Sequence, residues 1–272
     1  MQGNLAKMHT SIENGDAYYT LAIAEQRIEL NPLIGQAIKF TYTGTIHCLH
    51  CGKKTSKSFN QGYCYPCFTR LAQCDMCIMK PETCHFAAGT CREPEWGESF
   101  CMQPHYVYLA NSSGIKVGIT RENQIPTRWL DQGATQALPI FKVASRYISG
   151  LLEVTLAQHV SDKTSWQKML KSAPEAIDLC AQRDDLLQVC APEITELQQR
   201  LGDNAMMTLP EAEALSINYP IQRYPQKVTS LNLDKNPQVS GVLLGIKGQY
   251  LLLDSGVINI RKFTGYQITW ET

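Results

Sequence analysis

The sequence predicts an α+β fold built around a metal-binding module, and three observations carry that expectation. Nine of the eleven cysteines fall between positions 48 and 101. Partly alternating apolar residues mark short strands toward both ends of the chain and in a central hairpin. Between Ser149 and Leu201 the apolar positions instead recur every three or four residues, the helical period.

Read in order, residues 1–47 are N-terminal β-strands. Tyr18 to Ile23 and Gly35 to Tyr42 alternate in part, with Asn31-Pro32 as the turn between them. The second strand runs into Cys48 and a cysteine-rich module over 48–101. Residues 102–172 form a small mixed α/β domain. It opens with two strands, His105 to Ala110 and Ile115 to Ile119, joined by the polar turn Asn111-Ser112-Ser113-Gly114. Pro126 suits a helix start, so the sequence predicts a helix carrying Arg128, Trp129 and Leu130 and ending near Gly133. A third strand is expected over Ile140 to Arg146, then a helix capped by Ser149. A helical segment over 173–215 places Leu187, Cys190, Ile194, Leu197 and Leu201 on one side, with a break near Pro192. Cys180 and Cys190 read there as core fillers. Residues 216–272 are β-rich again, and these C-terminal strands are expected to pair with the N-terminal ones.

Composition removes several function classes. At 272 residues, 44% apolar and 18% charged, the chain is large enough for a core and for more than one domain. No run approaches the roughly 18 apolar residues of a spanning helix, so no membrane role is expected. The net charge is zero, which argues against coating nucleic acid by bulk charge. The charge is unevenly placed, however. From Cys48 to Gln73 the charged residues are Lys53, Lys54, Lys57 and Arg70, with no Asp or Glu, while residues 151–215 hold eleven acids against five bases. The cysteine module is therefore the candidate anion-facing surface. Its lysines would equally offset the negative charge of thiolates around a dication.

Cys48-x-x-Cys51 and Cys64-x-x-Cys67 are separated by twelve residues. Each pair turns two thiolates toward one point, and the hairpin between them completes a tetrahedral four-sulfur Zn2+ site of ribbon or knuckle type. Disulfides are the alternative, but Met1 to Thr10 lack the apolar run of a secretion signal, and a chain of this length needs no staples. A cytoplasmic location follows as the expectation. Further ligand candidates are Cys74, Cys77, Cys84, Cys91 and Cys101. The first four have the tighter spacing, and Cys101 could replace either late ligand. A second zinc is the expected occupant, given the zinc-like quartet beside it, and an iron–sulfur cluster, which also takes four thiolates, is the alternative. His85 reads as a surface or hydrogen-bonding histidine rather than a ligand, because the thiolates already suffice.

The order Val107-Tyr108-Leu109, polar turn, Lys116-Val117-Gly118-Ile119-Thr120, Arg128 and Glu153 resembles the GIY-YIG nuclease superfamily over about fifty residues. The whole chain also looks like an uncharacterised bacterial family that joins cysteine-rich zinc elements to such a domain. The resemblance implies a phosphodiester hydrolase acting on nucleic acid. Tyr108 would be the base, with Tyr106 as its substitute; Lys116 and Arg128 would hold phosphate; Glu153 would bind Mg2+ or Mn2+. Those residue types suit the chemistry. Arginine grips phosphate in two-point fashion, and one carboxylate suffices for a Mg2+ that keeps its waters. The chain departs from the family at three places. Lys116 stands where a second tyrosine is usual, the stretch from Thr120 to Arg128 is long, and Gln132 replaces a common histidine. Two non-catalytic alternatives follow: a nucleic-acid-binding or ribosome-associated module, and a zinc-built protein-interaction scaffold.

Overall fold

The computed structural model describes residues 1–160, 165–202 and 204–272; Asp162 and Asp203, two of the acids counted above, lie outside them. The fold is α+β.

The N-terminal part contains β1 (Gln2–Asn4), β2 (His9–Glu13), β3 (Asp16–Ile23), β4 (Gln26–Glu29), β5 (Ala37–His47) and β6 (Lys54–Thr55). Asn14-Gly15 closes the β2–β3 hairpin with both residues at positive φ, the left-handed pair that a two-residue hairpin turn demands. Along β3, Ala17, Tyr19 and Leu21 are buried while Asp16 and Tyr18 face solvent. The Asn31 side chain accepts from Tyr19 N and donates to Ala17 O, fixing the crossing to β5.

Two short helices, α1 (Tyr65–Arg70) and α2 (Pro94–Cys101), stand in the cysteine-rich stretch beside β6, and the rest is single 3-10 turns and loops. Next come β7 (His105–Asn111), β8 (Ile115–Arg121), α3 (Thr127–Asp131), β9 (Gln136–Val143) and α4 (Arg146–Ala157). The third strand thus begins four residues earlier than expected. Pro139 does not end it, because the register slips opposite Val107 and Tyr108, and a bulge tolerates a residue without an N–H. Helix α4 starts at Arg146, since Ser145 and not Ser149 is extended and accepts from Ile148 N. Ser149 is buried within the helix.

The remainder runs α5 (Trp166–Met169), α6 (Leu179–Val189), α7 (Ala191–Leu201), β10 (Met206–Thr208), β11 (Leu215–Ser216), β12 (Gln238–Lys247), β13 (Tyr250–Leu253), β14 (Gly256–Asn259) and β15 (Tyr266–Glu271). The break between α6 and α7 falls at Cys190, two residues before Pro192, and Cys190 is fully buried.

Both chain ends build one antiparallel sheet of order β1-β15-β5-β12-β13-β14, with β6 on the far end of β5. Strands β2, β3 and β4 form a separate three-stranded sheet, and β10-β9-β7-β8 a third, which β11 joins. The third sheet has two buried faces. Val107, Leu109, Val117 and Ile119 pack with α4, α6 and α7. Tyr108 and Ala110, on the opposite face, join Trp129 and Leu130 of α3 in the core of the terminal sheet. Each fully buried Leu, Ile or Phe contributes about 1.5–3 kcal/mol of transfer free energy.

One polar junction ties three distant stretches together. Gln249, 3% exposed, accepts from Met8 N (2.8 Å) and donates to Met8 O (3.0 Å) and Asp131 Oδ1 (2.8 Å). Lys7 Nζ reaches Asp131 Oδ2 at 2.9 Å. Nearby on β12, Lys247 is fully buried and lies 5.6 and 5.7 Å from the ring centres of Tyr219 and Tyr224. Burial pushes its ammonium down from an ordinary 10.5 to about 8.

Gln249→Leu leaves both Met8 groups unpaired and should cost about 2–4 kcal/mol in urea unfolding, at roughly 1–3 kcal/mol per orphaned group. Lys7→Ala removes one bond from the Asp131 carboxylate, whose side chain is 6% exposed, but leaves those of Gln249 intact, so it should cost less than Gln249→Leu; equal losses would refute the junction. Lys247→Met should stabilise the protein at pH 7 by up to about 3 kcal/mol, less what the two rings return through cation–π attraction. Between pH 8 and 10.5 the unfolded lysine holds a proton that the folded one has released. Wild-type stability therefore rises relative to the variant across that window, and the gap closes above it. A gap that stays constant with pH would contradict this.

Candidate metal centre and arginine cluster

Strand β5 delivers Cys48 to the module. Cys48 N donates to Lys53 O and Gly52 N to Cys48 O, both at 2.9 Å, so Cys51 sits on a tight loop whose Gly52 adopts φ +68°. Cys64 is the residue preceding α1 and Cys67 lies in its first turn, with Pro66 between them. A helix start places such a pair on one side. The sulfurs of Cys48, Cys51, Cys64 and Cys67 all lie within 4.8 Å of one another, a cluster that could hold a metal ion such as zinc. All eleven cysteines are free thiols. Burial pushes the Cys48 thiol up, but backbone N–H groups of Cys51, Cys64 and His50 outweigh it and bring the thiol to about 6. Cys67 goes the other way, to about 12, through burial, hydrogen bonds to its three partners and the Cys48 charge. One thiolate thus disfavours the next, and a dication at their centre reverses that repulsion.

The remaining cysteines divide unexpectedly. Cys74 packs with Leu71 against Cys48, Cys64 and Cys67. Cys77 instead has Cys84, Cys101 and Cys91 as charged neighbours; burial, then Asp75 and these thiols, push it up to about 11. Asp75, Cys77 and His85 bring ligand atoms within 4.8 Å of one another. Asp75 is also held by Arg92 Nε at 2.6 Å, and His85 Nδ1 by Thr90 Oγ1 at 2.8 Å. Asp75 carries no spacing signal of its own, and His85 is hydrogen-bonded as expected but also lies within ligand distance of Cys77.

Tyr108 pairs with Gly118 across β7 and β8. Its ring lies over that glycine, where a Cβ would come within 2.7 Å of the ring and hydroxyl. The tyrosine is fully buried and meets Trp129 edge-on at 5.9 Å. In the orientation that satisfies both neighbours, the Gln132 amide donates to Tyr108 Oη (2.8 Å) and accepts from Arg128 Nη2 (3.1 Å) and Nε (3.2 Å). Burial raises the phenol pKa; Arg128 opposes the shift and Glu153 adds to it. Tyr108, Arg128 and Glu153 therefore share one neighbourhood. Lys116, opposite Ala110 on β8, lies on the Tyr108 face of the sheet. Arg146 also neighbours Arg128 and Glu153, and Arg261 neighbours Arg128. Neither Arg146 nor Arg261 was marked by sequence, because no short motif contains them.

Stoichiometric metal should be found in the purified chain. Cys48→Ser and Cys67→Ser should each release it and lower the melting temperature, as a chelator should; Cys180→Ser should do neither. Full metal retention in both ligand variants would exclude this centre. No curated protein and no solved structure matches the chain. Residues 35–268 match the family described as "Protein of unknown function (DUF2797)", and the chain belongs to that family.

Proposed function

We propose that this protein binds nucleic acid through a zinc-built module in the cytoplasm. The observation that carries the reading is the face beside the four sulfurs. Lys53, Lys54, Lys57 and Arg70 are all exposed, with no acid between Cys48 and Gln73. Apolar groups accompany them, as Tyr65 is 59% and Leu49 50% exposed. Phe59 stacks on Phe68 at 5.6 Å, with Lys57 Nζ 5.2 Å from the Phe59 centroid. Cations interleaved with aromatic rings are what an unpaired strand needs, because phosphates take the charge and bases stack on the rings. Zinc is the metal of choice for four thiolates without redox work, and free thiols persist in a reducing compartment. Among the described residues, no helix is long and apolar enough to cross a membrane. We assign a second zinc to the group around Cys77, where Asp75 and His85 offer ligand atoms within 4.8 Å of its sulfur and Cys84, Cys91 and Cys101 are neighbouring thiols.

A second reading, phosphodiester hydrolysis of the GIY-YIG type, is favoured by Arg146 lying near both Arg128 and Glu153, with Arg261 near Arg128. Mg2+ or Mn2+ at Glu153 would supply charge neutralisation at the phosphate, and Arg128 would hold the phosphate by its fork. Tyr108, buried and with its pKa raised, is suited to holding Gln132 and Arg128 in place rather than to taking a proton from water.

Binding of single-stranded RNA or DNA should fall steeply with salt. Replacing Lys53, Lys54 and Lys57 by Gln should weaken it about tenfold or more and flatten the log–log salt slope by about 2, at roughly 0.7 per lost phosphate contact. Salt-independent binding, or none, would refute the reading. Metal-dependent nicking that Glu153→Gln abolishes while binding persists would establish the hydrolase; no nicking by the wild type would leave a binding protein.

A further inference from the structure

A groove with a volume of about 440 Å3 lies between α6 and the β7–β8 hairpin. Leu109 of β7 and Leu186 of α6, both buried, line it together with Ile115 at the start of β8. Gln182, Asp185, Leu186 and Val189 complete the α6 side, a stripe at i, i+3, i+4 and i+7 that one helix face presents. Val189 is 56% exposed, an aliphatic side chain without cover. His159 also lines the groove, its Nε2 4.0 Å from Glu193 Oε1 of α7. Asp185 forms no ion pair among the described residues. From Asp178 to Leu201 five acids are exposed, Asp178, Asp184, Asp185, Glu193 and Glu196, against one exposed base, Arg200. Arg183 is buried and engaged by Asp184 and Pro210 O. The cysteine module shows the opposite character: exposed Lys53, Lys54, Lys57 and Arg70, no acid, and uncovered Leu49 and Tyr65.

We propose that this groove receives the cysteine module of a second copy of the chain, with Tyr65 and Leu49 against Leu186 and Val189 and the lysines facing Asp185 and Glu193. An apolar groove bordered by acids selects an apolar side chain carried among cations, and the module displays that combination. Opposite potentials steer such an encounter and fix its register. Exposed charges act over only about 8 Å at physiological salt, so the apolar contact is what holds the pair once it has met. The net charge of the chain is zero, and no bulk repulsion keeps two copies apart. The two patches differ, so the contact is heterologous. Either two copies exchange both contacts, or each copy in a row keeps one patch free. The docked lysines are those of the strand-binding face, so association hides that face and a bound strand releases it. This last consequence rests on the strand-binding reading; the association itself does not.

Sedimentation of the intact, metal-loaded chain without nucleic acid should show a mean mass that rises with concentration above the 30.5 kDa monomer. The double variant Asp185→Lys, Glu193→Lys should weaken association about tenfold or more, and so should Lys53→Glu, Lys54→Glu. Mixed one to one, the two variants should associate again, because the reversed groove meets the reversed module; that recovery also shows that both are folded. Val189→Asn should weaken association about fivefold with the melting temperature unchanged. A single-stranded oligonucleotide should return the mass to that of one chain with its strand. Three results overturn the proposal: a monomer at every concentration, undiminished association of the charge variants, or no recovery on mixing. A monomer whose groove instead takes a lysine-rich amphipathic peptide, lost with Val189→Asn, would assign the groove to another protein and equally overturn it. A chain that associates as expected but binds no strand would sink only the earlier reading, and a strand-binding monomer only this one.

Discussion

Four sulfurs held within 4.8 Å of one another are the constraint on which the module from Cys48 to Cys101 depends. The chain there forms one two-residue strand and two short helices, and its apolar cluster is little more than Leu71, Tyr63, Phe68 and the cysteines. That is too little buried area to order some fifty residues against their conformational entropy, at roughly 1–2 kcal/mol per residue. A metal ion bound by these thiolates would supply what the core lacks, as in small metal-folded domains generally. The opposed displacements of Cys48 and Cys67 express the same fact from the electrostatic side: the ligand set is self-repelling until a cation joins it.

Strand β5 carries that centre into the rest of the molecule. One end lies between β12 and β15, so it is ordered by both C-terminal partners. At its other end His47 N donates to Gly265 O at 2.8 Å, and the next residue is the first ligand. The four-cysteine cluster is thus mounted on a sheet assembled from residues more than 200 positions apart in the chain. The Gln249–Asp131–Lys7 junction performs a related task for α3, whose Arg128 could not be positioned by a five-residue helix alone.

Local signals in the sequence carried much of the fold. The β7–β8 hairpin, the break before Pro192 and the strands of both ends follow from alternation, turn residues and helical period, which act over a few positions. The pairing of the two ends was inferred only from their shared β character, and its register depends on long-range contacts that no short window contains. Strand β9 extends back through Pro139, which a paired strand accepts only where a bulge removes the need for its N–H, and that bulge is a feature of the long-range register. Among site residues, the first quartet was legible because both CxxC pairs and the hairpin between them are local. The division of Cys74 from Cys77 was not, since it depends on two successive turns of the chain separating neighbours that a CxxC pattern joins.

The buried tyrosine shows how one residue type serves two designs. A phenol that must accept a proton needs solvent and a lowered pKa. Tyr108 has neither, because the glycine opposite it lets the ring lie flat on the sheet and Trp129 closes the side. What it retains is direction. Its hydroxyl fixes the Gln132 amide, and the amide oxygen takes both Nη2 and Nε of Arg128. An arginine held along that edge loses much of its rotamer freedom before any ligand arrives, and ordering such a side chain costs a free one about 2 kcal/mol. The arrangement therefore favours tight, oriented anion contact over proton transfer, whichever reaction, if any, follows at that surface.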